Sequence, residues 1–436
     1  MSCPRVPYAG IAGRRWEQVS FSLVVALATF GAVYVFLIGD WFHRAWATAI
    51  GAAVLLVTGV IPPAALTSSI DWNTLALLGG MMVLVGLLGE VGLFDQVALA
   101  AARFARGDPR RLVAAFGLAS AVISTVIDNV TTILLLGPAM MQSAEALGAD
   151  PVDLLMVAAV ASNLGGLATL VGDPPNILIG TAAPLTFGQF LRHLGPLAGV
   201  LLAVLGGWLW WRLPRGASAH GQAVVLPAHP PRPLTWAAPG LVGILGLTLL
   251  GLVFQRQLHL AAGAVAAIGA GLGVLWARPS PSRLVHSVDW GTLGFFAGIF
   301  VMVGGLERAG AISRFAHWLL TTFGSQGIGL AVLWGSALIS AGLDNVPLVA
   351  AMIPVVRMIN QLHPEYGVGL WMALAAGAAI GGNATVIGAS ANVVAQGVAY
   401  DHGHPMDFMR YFRFGGPVAL WTLLAATGYL MLFHGF

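Results

Sequence analysis

The chain has 436 residues, of which 58% are hydrophobic and only 8% are charged, against roughly 25% charge in an ordinary soluble domain. With a mean hydropathy of +0.85, it has too few polar side chains to clothe a water-facing surface. This excludes a soluble enzyme, a nucleic-acid binder and a disordered protein. All 20 basic residues are arginine and the net charge is +3, which reads as loop arginines orienting a membrane protein.

Residues 1–19 form a tail that lacks the short apolar core and cleavage site of a signal peptide, so none is expected. The single cysteine, Cys3, excludes a disulfide framework and a cysteine metal cluster. No cofactor and no metal is expected. A helical span needs about 20 mainly apolar residues, and such stretches begin at 20–38, 45–66 and 74–93. A Gly- and Thr-rich apolar stretch at 112–141 follows, then 154–180 and 194–211. The most polar piece, 213–233, reads as a cytoplasmic linker between a first transmembrane repeat (20–212) and a second (234–436). The second repeat carries spans at 236–254, 260–276, 289–306, 327–356, 367–398 and 416–436.

The halves match by motif, not only by hydropathy. IDWNTLALLGGMMVLVG at 70–86 returns as VDWGTLGFFAGIFVMVG at 288–304. IDNVTTILLLGP at 127–138 returns as LDNVPLVAAMIP at 343–354, and GGLATLVGDPPN at 165–176 as GGNATVIGASAN at 381–392. Three ordered matches with a nearly constant offset indicate a duplicated half-protein, a hallmark of secondary transporters.

The stretches at 112–141 and 327–356 are too short for two full crossings, and each holds Asp-Asn near its middle. A re-entrant hairpin that returns to its own side explains both facts. Each half then has about five transmembrane helices and one hairpin, and an odd number of crossings inverts the second half. The expected fold is an all-α polytopic membrane protein of two inverted-topology repeats. With the N-terminus outside, most loop arginines fall on the inner side, although Arg5, Arg14 and Arg15 oppose that orientation.

Four pieces carry polar groups into apolar sequence. The first hairpin tip offers Asp128, Asn129, Thr131 and Thr132, and its mate offers Asp344 and Asn345. The stretch at 154–180 is expected to be an interrupted helix, because Gly165-Gly166 permits unwinding and Pro174-Pro175 removes backbone donors. It supplies Asn163, Thr169, Asp173 and Asn176. Its mate at 367–398 supplies Gly381, Gly382, Asn383, Thr385 and Asn392. Broken helices expose carbonyls, N–H groups and half-helix charges, and with Asn and Thr they form an oxygen-rich site for H⁺, Na⁺ or small polyhydroxy solutes. Asp173 reads equally as a cap of the half-helix at Pro174. Glu90, Glu307 and Arg308 read as interfacial ion-pair residues. No Walker-type loop occurs, so the chain does not itself hydrolyse ATP.

DNVTTILLLGP followed by NLGGLATLVGDPPNILIG resembles the permease group that contains ArsB-type arsenite permeases, NhaD-type sodium/proton antiporters and the melanosomal P protein. More distantly it resembles citrate and dicarboxylate permeases of the same ion transporter superfamily. The resemblance implies inverted repeats, a homodimer in the cell inner membrane, and binding positions at hairpin tips and interrupted helices. It places those positions at Asp128, Asn129, Thr131, Asn163, Gly165, Gly166, Thr169, Asp344, Asn345, Gly381, Gly382, Asn383 and Thr385.

Two aspartates with no Arg, Lys or His in the tip or break motifs disfavour a multiply charged anion, since a like-charge pair at 4 Å costs about 4 kcal/mol at an effective dielectric near 20. Arsenite or antimonite efflux as a neutral trihydroxy metalloid, with Asp128 carrying the counter-proton, is the preferred reading. Na⁺/H⁺ exchange is the alternative. An organic anion permease and the membrane subunit of a pump with a separate ATPase chain rank lower.

Overall fold

A computed structural model describes residues 13–39, 41, 43–183, 185–212 and 233–434. Cys3, the start of the tail and all but the last residue of the expected linker lie outside the described residues. The described residues form α-helices and 3-10 turns joined by short loops, with no strand among them; the α-helices run in the order α1 (Gly13–Gly39), α2 (Arg44–Val57), α3 (Leu66–Ser69), α4 (Trp72–Glu90), α5 (Leu93–Ala105), α6 (Pro109–Ser124), α7 (Asn129–Ala146), α8 (Pro151–Gly166), α9 (Pro174–Ala182) and α10 (Phe187–Arg212). The chain continues with α11 (Ala238–Val253), α12 (Ala262–Ala277), α13 (Pro281–His286), α14 (Trp290–Arg308), α15 (Ala311–Gly342), α16 (Asn345–Leu362), α17 (Gly367–Gly382), α18 (Ser390–Asp401) and α19 (Phe408–His434).

The order of elements repeats. Helices α4 to α10 correspond to α14 to α19, with α15 standing for α5 and α6 together. Gly324, at φ 64°, bends α15 into two arms, which only glycine adopts without strain. Six described helices are long and apolar enough to cross a membrane by themselves, or seven if the bent α15 counts as one span. Four more apolar helices, α2, α8, α11 and α12, are shorter.

The expected spans appear as helices, and both stretches at 154–180 and 367–398 are interrupted. The first hairpin stretch is longer than its apolar run suggested: α6 and α7 together cover Pro109 to Ala146. Asp108 and Pro109 start α6: the Asp108 side chain accepts the Arg110 N–H at 2.9 Å and Pro109 takes the first helical turn. Asp150 and Pro151 start α8 in the same way. Sequence reading passed over α5 and the first arm of α15, because each is too short to register as a span.

The chain forms two compact units. The first comprises residues 1–71 and 291–318. There α14 lies against α2, with the Thr48 hydroxyl donating to the Phe295 carbonyl at 3.4 Å and no room for a Cβ on Gly298 beside Thr48. The second unit comprises residues 72–290 and 319–436. In it α12 packs on α4, where the Gly263 N–H donates to Asn73 Oδ1 at 2.8 Å and Gly80 meets the Ala266 backbone. These are the same two helices of the repeat, taken once from each half. Glu90 pairs with Arg283 at 3.7 Å in this unit. Every hairpin tip and helix break belongs to it.

Candidate functional site

Both breaks are built alike. Helix α8 ends at Gly166 and α17 at Gly382. Gly165 lies directly on the Ala121 backbone, and Gly381 on that of Ala337, so a Cβ at either would collide. These glycines serve close helix contact with the preceding hairpin arm as well as unwinding. Past each break one asparagine fastens the loop. Asn176 Nδ2 donates to the Gly166 and Thr169 carbonyls, both at 3.0 Å. Asn392 Nδ2 donates to those of Gly382 (2.7 Å) and Thr385 (2.8 Å). Thr169 Oγ1 donates to the Thr125 carbonyl at 2.5 Å and Thr385 Oγ1 to the Ala341 carbonyl at 2.6 Å, tying each break to its own hairpin. Freed carbonyls of broken helices find internal donors here, as burial demands.

The tip aspartates act as helix caps. Asp128 caps α7, accepting the Thr131 N–H at 2.8 Å and the Thr131 hydroxyl at 2.7 Å. Asp344 caps α16, accepting the Val346 N–H at 3.0 Å and the Ser390 hydroxyl at 2.6 Å. Their hydroxyl partners are exchanged between halves: Pro347 stands at the place of Thr131, and Pro174 at the place of Ser390. Thr132 turns back on its own helix, donating to the Asp128 carbonyl at 3.0 Å.

Asp173 is different. It precedes α9, but its side chain makes no cap bond, so the capping reading does not hold. Its carboxylate is 1% exposed. It accepts from Asn345 Nδ2 at 3.3 Å and is hydrogen-bonded by the Asn129 side chain, while Asp344 and Asp128 both act on it through space. The asparagines of both hairpin tips therefore converge on the one acid of the first break. Ala389 takes its place in the second.

Beside it lies a chain of amides. Asn163 accepts from Asn129 Nδ2 at 2.8 Å and donates to Asn383 Oδ1 at 2.8 Å and Asn392 Oδ1 at 3.1 Å. The direction of these bonds is fixed from one end. Asn392 spends its NH₂ on two carbonyls, so its oxygen must face Asn163, whose own oxygen must then face Asn129. This leaves Asn383 Nδ2 with no hydrogen-bond partner among the described residues, and Asn176 Oδ1 likewise. Asn383 is fully buried and Asn176 1% exposed. The structure thus brings Asn129, Asn163, Asp173, Asn345, Asn383 and Asn392 into one network. The two tip aspartates expected at its centre flank it as caps. Among the described residues, no three His, Cys, Asp or Glu side chains group closely enough to hold a metal ion.

Sequence reading missed a second set of links between halves. Arg410 of α19 forks onto Asp150 (2.5 Å) and Asp153 (3.0 Å) at the start of α8. His404 meets Glu145 at 3.1 Å. No local pattern announces them, since each partner is more than 250 positions away.

Residues 34–368 match the family model described as Citrate transporter (CitMHS). The chain belongs to the citrate transporter family. The uncharacterized transporter Rv2684 of Mycobacterium tuberculosis is 37% identical over 422 residues, covering 94% of this chain and 98% of that one. The P protein of Homo sapiens is 32% identical over 513 residues, covering 96% of this chain and 60% of its own length. The structure of the YdaH transporter of Alcanivorax borkumensis is similar in fold, with a TM-score of 0.63 at 16% identity, covering 94% of this chain and 98% of that one. The chain is a multi-pass membrane transporter of this family and not an enzyme.

Proposed function

We propose that this family member exports arsenite or antimonite, as neutral As(OH)₃ or Sb(OH)₃, across the cell inner membrane in exchange for protons. The two halves, inverted relative to each other, alternate access to the amide network, and Asp173 carries the coupling proton. One observation carries the substrate reading: the site leaves over a buried donor, Asn383 Nδ2 in the amide network, and a buried acceptor, Asn176 Oδ1 at the first break. A trihydroxy solute answers both, because each hydroxyl donates and accepts. A bare cation has nothing for the donor.

Asp173 suits the proton because Asp128 and Asp344 are held as caps, whereas Asp173 has amide partners and, among the described residues, no cation acting on it. A carboxylate buried in the membrane needs a proton or counter-ion to move without a large cost. A free organic anion such as citrate meets three carboxylates and no basic side chain in the network, so it would have to enter with a cation. Na⁺/H⁺ exchange remains the second reading, favoured by the two further carboxylates, Asp344 and Asp128, that act on Asp173.

The purified chain in proteoliposomes under an imposed pH gradient tests this. Arsenite accumulation without ATP is the expected result. Movement of Na⁺ or a citrate–cation complex but not arsenite would replace the substrate.

A further inference from the structure

The segment that opens the last helix of each half also repeats: FLRHLGP (190–196) aligns with YFRFGGP (411–417). Four of the seven positions differ, and two of these differences bear on each other. Tyr411 stands at the place of Phe190, and Gly415 at the place of Leu194. Both aromatic side chains are completely buried, so the phenol oxygen is the chemical change. The Tyr411 hydroxyl has no hydrogen-bond partner among the described residues, a costly state for a buried polar group.

Gly415 shows where the ring of Tyr411 lies. A Cβ on Gly415 would run into the Asn383 carbonyl, the Tyr411 ring edge at 2.9 Å and the Ala384 carbonyl at 3.1 Å. Helix α19 therefore presses its backbone onto the second break, with the Tyr411 ring at the same contact. The leucine of the first half would forbid that approach. Asn383, whose carbonyl meets Gly415 at the same place as the Tyr411 ring edge, is the residue whose Nδ2 is left over by the amide chain.

We propose that Tyr411 is a substrate-contacting residue: its hydroxyl and Asn383 Nδ2 are the two donors with which the second half holds a hydroxylated neutral solute. The pair deepens the substrate reading above and rests on it. It also makes the site one-sided, since Phe190 and Leu167 stand at the places of Tyr411 and Asn383 in the first half. Asn383 Nδ2 offers a bare cation nothing, so the pair favours As(OH)₃ over Na⁺.

The test is Tyr411→Phe in the full-length chain, a change that the first half already accommodates at Phe190, with Phe190→Tyr as the control. Arsenite flux in proteoliposomes and thermal midpoints with and without arsenite are measured on each. Tyr411→Phe should raise the KM for arsenite about fivefold, the loss of one hydrogen bond, with maximal rate kept. It should also shrink the arsenite-induced midpoint shift while the ligand-free midpoint stays level or rises. The control should change neither KM nor shift. An unchanged KM and shift in Tyr411→Phe would overturn the assignment, as would a lower ligand-free midpoint, which marks a hydroxyl that holds the fold. If the wild type itself shows no arsenite-induced shift, the substrate reading fails, and the ligand-free midpoint alone still decides whether the hydroxyl is structural.

Discussion

Asn163 donates to Asn383 at 2.8 Å, and neither has a counterpart in the other half, where Ala379 and Leu167 stand. The residues kept through the duplication, Asn176 with Asn392 and Thr169 with Thr385, fasten the two breaks identically. Those that differ, Asn163, Asn383, Asp173 and Tyr411, supply the unsymmetrical chemistry. The duplication carries the scaffold, and its departures carry the proposed function.

Asn163→Ala tests the hub. Alanine fits this helix position, as Ala379 shows, so the helix should form. Three side-chain bonds are lost, at about 0.6 kcal/mol each for interhelical bonds in membranes. A lower thermal midpoint together with abolished transport is expected in the purified protein.

Asn176→Ala and Asn392→Ala test the breaks. Each loses two bonds to carbonyls, but only Asn392 also accepts from Asn163. Asn392→Ala should therefore be the less stable, by about 0.6 kcal/mol. Denaturation of the two variants side by side measures the difference.

Ser390→Ala tests the exchanged hydroxyls. It removes the side-chain donor to Asp344 and should cost about 1 kcal/mol, whereas Ser390→Thr should restore stability. Thr131→Ala should behave similarly at Asp128, where the Thr131 N–H bond to the carboxylate remains.

Arg410→Ala tests the fork on Asp150 and Asp153. These side chains are 35% to 56% exposed, so the loss should be about 1 kcal/mol or less and should shrink with salt. Thermal midpoints across a salt series measure it.

Much of the site was legible because polar residues are rare in this sequence. Asp128, Asn129 and the GDPPN segment stood out in apolar surroundings, and duplication fixed their partners. The sequence could not show that Asp128 is satisfied by Thr131 three residues on, or that Asp173 turns away from its own helix. Both depend on local geometry at a helix start. Tyr411 was illegible for another reason: a buried aromatic reads as packing until its hydroxyl is seen to lack a partner. The Arg410 fork needed the fold itself, since it joins opposite halves of the chain.

The most direct test compares proton movement in proteoliposomes containing wild type, Asp173→Asn or Asp128→Asn as arsenite is taken up. Wild type should move protons opposite to arsenite. Asp128→Asn should do the same, because asparagine caps a helix nearly as well as aspartate. Asp173→Asn should pass arsenite only down its own gradient, with no proton signal. Proton-driven accumulation surviving in Asp173→Asn, or vanishing only in Asp128→Asn, would contradict the account.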